Sequence, residues 1–394
     1  MKILLISESP IIKKNNTYYS KDSWINFPLY ISNQVEKFSI LCTTKNISNY
    51  NSSEYFELLP HKANIYFHSD YSTFVEYYKK YIFEVKKWSK IIEKLINEHD
   101  IIWVRMPSPI FHLIFKYNIK AKKKIVIFAA GDIEKQSDTF ITSKGIKKFL
   151  IKRFISRYIN REVKLYNKAN LIYCYSSELI QRYQKVNCKK KLFRTPLVKK
   201  NEIVYRYNAC ENKQIILLRV CWLLPSKGIE NLLKSLKILI TMKYNIILNI
   251  IGDSRNPDYK VKLNNYIKKL KLQDSVKIMG WKTKSELIDF YKTSDIHVIS
   301  SLSEGTPRVI MEGMAKGVPL ITTNVGGISD FFTNKNQCLI VNPTDIDEMV
   351  KSIELMVNNR KLRSRIIENG YKDVNNWCVE NKSLDVIEDM KLIL

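Results

Sequence analysis

A chain of 394 residues is longer than a single hydrophobic core usually serves, so two domains are expected. Lys and Arg outnumber Asp and Glu by 65 to 38, and this formal charge of +27 points to an anionic partner: a phosphorylated substrate, a nucleic acid or an acidic membrane face. Apolar residues make up 45% of the chain, enough for ordinary globular cores, and no run of them is long enough to span a bilayer.

In chain order, Met1–Ser7 is too short an apolar run for a signal peptide, and Lys2–Ser7 reads as a first strand. Further short apolar runs suited to buried parallel strands follow at Phe38–Thr43, Ile101–Arg105, Ile125–Ala129 and Leu171–Tyr175 in the first half. The second half adds Ile215–Val220, Ile246–Ile251, Val276–Met279, Ile296–Ser300, Leu320–Thr323 and Leu339–Val341. Longer helical patterns separate them, which predicts an α/β protein of two doubly wound, Rossmann-like parallel-sheet domains. The polar stretch Thr195–Lys213, opened by Pro196, marks the boundary and gives domains 1–198 and 199–376, followed by a helical tail 377–394. Open α/β sheets bind ligands beyond the carboxyl ends of their strands, so a cleft between two facing domains is the expected site.

Two helical stretches of the first half are basic. From Ser143 to Lys164 (143–164) eight Lys or Arg stand against Glu162, with Ile146, Leu150, Phe154 and Tyr158 recurring every four residues. Such a helix can lie on an anionic membrane, although the solvated face of a core-packing helix has the same pattern. Tyr77–Leu95 is similar but carries more acids. Seven cysteines (Cys42, Cys174, Cys188, Cys210, Cys221, Cys338 and Cys378) are odd in number and never form C-x-x-C. That argues against a zinc site or a disulfide framework and for a cytoplasmic protein, with contact at the cytoplasmic face of the membrane left open.

The stretch Ser303–Ile321 carries most information. Thr306 suits an N-cap and Pro307 a first helical residue, which puts Glu304 just outside a helix and Glu312 more than a turn into it. Free amides at the helix start suit an anion, and the two carboxylates can accept hydrogen bonds from hydroxyls. Both kinds of contact together fit a sugar nucleotide. The plainer alternative is a surface helix that happens to carry a glutamate.

The neighbouring segments, Pro225-Ser226-Lys227-Gly228, Ile250-Ile251-Gly252-Asp253, Val276–Trp281, Leu287–Tyr291, Ser294-Asp295-Ile296, Val325-Gly326-Gly327 and Asn369-Gly370, come in the order of a known series. With Glu304 and Glu312 they resemble the GT-B-fold retaining glycosyltransferases of the family 4 type (glycosyl transferases group 1), well over Ile215–Trp377 and weakly before it. The resemblance implies a metal-independent retaining hexosyltransferase that moves a sugar from a nucleotide-diphosphate donor to a glycan or lipid-linked hydroxyl acceptor, in cell-surface polysaccharide or lipid-linked glycan synthesis. It further implies that Lys227 contacts the diphosphate and Glu312 the ribose hydroxyls, while Glu304 faces the donor sugar. Backbone amides of Gly305, Thr306, Arg308 and Val309 would hold phosphate and sugar, and Gly280-Trp281 would lie beside the base, although Trp281 could equally be core.

Three departures stand out. The family's Gly-Arg before Pro-x-Lys-Gly is Cys221-Trp222 here, and Arg219 is three residues away, an odd offset that on a strand puts it on the opposite face. A glycine-rich loop after the first strand is replaced by Ser7-Glu8-Ser9-Pro10. No histidine falls after the central strand of the first domain, where Asp132 either takes that catalytic place or caps a loop. Asp345-Ile346-Asp347 has the Asp-x-Asp form of metal-dependent transferases, yet it opens a helical pattern where acids favour the dipole; no metal and no further cofactor are expected. The alternatives are a sugar-nucleotide epimerase of the same fold, whose histidine and acid pairs are not found in place, and a basic nucleic-acid-binding protein, for which the lysine-rich helices are the sole support. No nucleic acid partner is expected.

Overall fold

A computed structural model describes residues 1–15, 17–44, 55–58, 61–69, 74–130, 153, 156–157, 166–254, 256–305 and 307–394. The chain divides into two compact units, the first made of Met1–Thr195 and Lys382–Leu394, the second of Pro196–Asn381.

The first unit holds the strands β1 (Lys2–Ser7), β2 (Ile11–Lys14), β3 (Thr17–Ser20), β4 (Lys37–Cys42), β5 (Phe56–Glu57), β6 (Asn64–Phe67), β7 (Ile101–Met106), β8 (Lys124–Ala129), β9 (Leu171–Cys174) and β10 (Lys189–Leu192). Seven of them form one parallel sheet in the order β10-β9-β8-β7-β1-β4-β6. Its centre is apolar on both faces, as a sheet covered on both sides requires: Leu4, Ile6, Val104 and Ile127 are buried with Trp88 in one cluster. Burial of each such side chain contributes about 1.5–3 kcal/mol before chain entropy is set against it. The helix Phe74–Glu98 turns Tyr77, Trp88, Ile92 and Leu95 into that core and leaves Lys86, Lys87 and Lys90 exposed. The second basic stretch is therefore the solvated face of a core helix. The first, 143–164, lies for the most part outside the described residues. β2, β3 and β5 form a small antiparallel sheet that the apolar pattern does not announce.

The second unit holds β11 (Ile215–Val220), β12 (Ile246–Ile251), β13 (Val276–Ile278), β14 (Ile296–Ile299), β15 (Leu320–Thr323) and β16 (Leu339–Val341) in the parallel order β13-β12-β11-β14-β15-β16. Leu217, Leu248, Ile250, Val298 and Ile321 pack in its core with Leu232, Leu236 and Ile353 from the helices Ile229–Thr241 and Ile346–Asn358. Asp345 caps the latter helix by accepting from the Glu348 amide at 2.8 Å, so the Asp-x-Asp stretch is a helix start.

The final helix, Val379–Lys391, enters the first unit from Lys382 onward. There Asp389 accepts from Tyr173 Oη at 2.6 Å and from Lys191 Nζ at 2.5 Å, and Gln34 Nε2 donates to Ser383 Oγ at 3.0 Å. All seven cysteines are unpaired. Among the described residues no helix is long and apolar enough to cross a membrane.

Candidate donor site in the second unit

β11 and β14 are neighbours, so the segments leaving their carboxyl ends run side by side. After β11 the chain makes a short 3-10 turn, Pro225–Lys227, which ends on Gly228 at φ +61°. A Cβ there would stand 2.0 Å from the Ser300 carbonyl oxygen, so only glycine lets this turn lie against the segment after β14. Lys227 Nζ thereby reaches Glu304 Oε1 at 2.6 Å, with 17% and 16% of the two side chains exposed. Ser301 Oγ donates to the same carboxylate oxygen at 2.9 Å.

The end of β15 supports the loop from its other side. Thr323 Oγ1 donates to the Ser301 carbonyl at 2.6 Å, and the Gly327 amide to the Gly305 carbonyl at 2.9 Å. Gly326, at φ +57°, would place a Cβ 2.1 Å from the Gly305 oxygen and 2.2 Å from the Glu304 oxygen. Gly326 is therefore required by the close approach of this loop.

The helix that carries Glu312 begins later than the sequence pattern suggests. It spans Val309–Met314, and the residue before it is Arg308, in a helical conformation and without a side-chain cap. Pro307 disfavours helical geometry in the residue preceding it, and its own carbonyl accepts from the Ile310 amide in a turn. Thr306, the expected cap, lies outside the described residues. Glu312 is therefore in the first turn, not beyond it. Tyr291 Oη, from the helix Lys284–Thr293, donates to Glu312 Oε2 at 3.2 Å. Although Glu312 is half-buried as a residue, its carboxyl is enclosed by protein, and burial raises it above the ordinary carboxylate range. It borders a small pocket lined also by Leu287, Ile288, Tyr291, Lys284 and Lys316.

Gly280, at φ +71°, follows β13, and its carbonyl accepts from the Gly252 amide at 2.8 Å. Trp281 beside it is 54% exposed, which rules out a core position. Arg308 is exposed, Gly305 is exposed and Val309 is half-buried. Thus Lys227, Glu304 and Gly305 meet in one cluster, and Glu312 and Val309 meet in the contacts of Tyr291, whose hydroxyl also lies 3.5 Å from the Val309 carbonyl.

Arg219 supports this loop from within the fold. It is fully buried, and its terminal nitrogen Nη2 donates to Ser301 Oγ at 2.7 Å and to the Lys227 carbonyl at 3.2 Å. Alternation of faces holds only along a strand, and β11 ends at Val220. The turn beyond it folds back over the strand end, within reach of a long side chain. Arg219, Ser301 and Tyr291 were missed as site residues; the one signal was a charged residue inside the apolar run Ile-Ile-Leu-Leu-Arg-Val.

In the first unit, Asp132 lies outside the described residues. The carboxyl ends of β1 and β7 nevertheless gather polar groups: Arg105 Nη1 donates to Asp22 Oδ2 and to Ser9 Oγ, both at 2.7 Å, and Ser108 Oγ donates to Glu8 Oε1 at 2.6 Å. The Arg105 guanidinium stacks 4.4 Å from the Trp24 ring centroid, and Trp24 Nε1 donates to Tyr175 Oη at 3.0 Å. His68 Nε2 stands 4.0 Å from Glu8 Oε2, and burial pushes the imidazole down to about 4.

Two parallel doubly wound sheets, each with its polar groups at the carboxyl ends of the strands, define the class of GT-B glycosyltransferase folds. Residues 204–373 match the family described as glycosyl transferases group 1. It is 31% identical over 176 residues to the capsular polysaccharide biosynthesis glycosyltransferase CapM of Staphylococcus aureus, a match covering 45% of each chain and so about half the relative's length. Protein CapJ of the same organism is 24% identical over 402 residues, covering 98% of this chain and 94% of CapJ. Among solved structures, Anabaena HepE in complex with UDP aligns with a TM-score of 0.70 at 14% identity, over 99% of this chain and all of that one, a likeness of fold.

Proposed function

We propose that this protein is a retaining glycosyltransferase that moves a sugar from a nucleoside-diphosphate donor to a hydroxyl of a glycan or lipid-linked acceptor, in the synthesis of a cell-surface polysaccharide. The observation that carries the reading is the meeting of Lys227 and Glu304 at 2.6 Å beyond the carboxyl ends of adjacent strands. A point cation suits the diphosphate, and a carboxylate suits the donor sugar's hydroxyls. The capsular role of CapM and the UDP in HepE support the substrate class.

In this mechanism the bond between the anomeric carbon and the diphosphate oxygen breaks as the acceptor oxygen bonds the same carbon from the leaving-group face. The acceptor's proton passes to the departing diphosphate. Lys227 stabilises the charge that gathers on that leaving group, helped by the amides of Gly305, Thr306, Arg308 and Val309. Glu312 accepts from the ribose hydroxyls, Gly280 and Trp281 flank the base, and Glu304 positions the sugar without forming a covalent bond. The reaction runs without a metal. The first unit takes the acceptor, with Asp132 as the candidate contact to the sugar or the acceptor, and the basic stretch 143–164 adds contact with an anionic membrane.

The test is a binding and turnover screen with UDP, GDP, ADP and their sugars. One series binds and releases nucleotide, and Glu312→Ala abolishes both. A salt-sensitive shift of DNA with no nucleotide bound would instead support a nucleic-acid-binding protein. Failure to co-sediment with anionic vesicles at low salt would remove the membrane contact alone.

A further inference from the structure

A fully buried arginine is rare unless it is paired, and Arg219 has no exposed surface. Among the described residues its two hydrogen bonds go to neutral oxygens, Ser301 Oγ and the Lys227 carbonyl, and its Nε has no hydrogen-bond partner. The carboxylate it would need is one step away. A serine hydroxyl has a single proton; Ser301 accepts from Arg219 at 2.7 Å and donates to Glu304 Oε1 at 2.9 Å. That same oxygen is held by Lys227 Nζ at 2.6 Å. Two cations and one carboxylate therefore share a single line of hydrogen bonds, and the line ends with one positive charge in excess, in surroundings where charge is weakly screened.

We propose that Arg219 is a positioning residue for the donor diphosphate, keeping Glu304 in place through Ser301 when Lys227 leaves that carboxylate for the phosphates. The inference rests on the donor reading above. Without a donor, Lys227 and Ser301 both hold Glu304. When the diphosphate draws Lys227 away, the polarised hydroxyl of Ser301 remains on Glu304, so the carboxylate neither follows the lysine nor turns toward the incoming phosphate. The Arg219 bond to the Lys227 carbonyl fixes the backbone from which the lysine swings. The excess charge of the line is complementary to the phosphates and contributes nothing to recognition of the nucleoside.

The experiment measures dissociation constants of the full-length protein, by calorimetry, for uridine, guanosine and adenosine, each as nucleoside, monophosphate and diphosphate. Wild type is compared with Arg219→Met and Ser301→Ala. For the base that binds, Ser301→Ala is expected to weaken the diphosphate about tenfold, the size of one charge-assisted hydrogen bond, and to leave the nucleoside within about twofold. Arg219→Met should do the same or more; should it not fold, Ser301→Ala, which deletes no charge, decides alone. An equal loss for nucleoside and diphosphate, or an unchanged diphosphate constant, overturns the proposal and leaves the donor reading standing. Wild-type protein that binds no nucleotide at all overturns both.

Discussion

Lys227 and Glu304 are 77 residues apart in sequence and 2.6 Å apart in space, and each is the other's charge partner. In the proposed cycle the phosphates compete with Glu304 for the lysine. Glu304→Gln should therefore tighten binding of the free nucleoside diphosphate about three- to tenfold while transfer falls by about a hundredfold or more. Lys227→Met should lose both binding and transfer. Calorimetry beside a turnover assay separates the two, and weaker diphosphate binding in Glu304→Gln would contradict the competition.

The Glu312 carboxyl is held above its ordinary range by burial, so it takes up a proton at a higher pH than an exposed glutamate. Protonation removes the acceptor that the proposed donor site offers to the ribose hydroxyls. Nucleotide affinity should then fall as pH drops through this raised value, with no such step in Glu312→Gln. The stability term has the opposite sense: a raised carboxylate favours the fold at low pH, and that contribution is lost as pH rises through the folded value. Glu312→Gln should thus melt at or above wild type at pH 7 and lose that advantage at pH 4, as thermal scans at the two pH values would reveal.

Gly326→Ala tests the loop geometry. The added methyl would meet the Gly305 and Glu304 carbonyl oxygens at 2.1 and 2.2 Å, both of them backbone atoms unable to yield cheaply. Turnover should fall at least tenfold, with a stability loss of about 1–2 kcal/mol from the left-handed conformation alone. Gly280→Ala is the control: it shares a positive φ but has nothing within 4 Å, so stability drops by a similar conformational term while the Glu304 loop stays in place. Equal turnover in the two variants would remove the claim that Gly326 shapes the loop.

His297, on β14, is fully buried, and burial with the nearby Arg219 charge pushes it down to about 3. Its ordinary value is near 6.5, so between these limits the unfolded chain binds a proton that the folded one does not. Folding stability contributed by this residue is intact above pH 6.5 and declines by up to about 1.4 kcal/mol per pH unit as the medium becomes more acid. Denaturant midpoints from pH 7 to 4 should fall less steeply in His297→Leu than in wild type. Parallel slopes would mean that the imidazole titrates normally in the fold.

The central strands of both sheets were legible because a parallel strand covered on two faces must be apolar throughout; β1, β11, β12, β15 and β16 span the residues their apolar runs mark. Strands outside that condition escaped. β10 reads Lys-Lys-Lys-Leu and β6 Asn-Ile-Tyr-Phe, edge strands of their sheet with half-exposed faces, and β2, β3 and β5 belong to a small antiparallel sheet whose short strands carry no long apolar run. Apolar runs report burial along a whole strand, whereas β6 and β10 are half-exposed and β2 buries only Ile11 and Ile12.

Residue types and their order in the chain determined by themselves that Lys227, Glu304 and Glu312 were the positions to watch, since the charge each bears is written in its side chain. Only the tertiary structure decided how they are paired: the β11–β14 neighbourhood joins Lys227 to Glu304, Tyr291 takes Glu312, and Arg219 enters from beneath through Ser301. Counting along the strand could not show that Arg219 reaches Ser301 and the Lys227 carbonyl, because both lie beyond the strand. A turn that folds back over the strand end brings distant residues within hydrogen-bond reach, and that depends on strand order and glycine-permitted close approach, which no local pattern encodes.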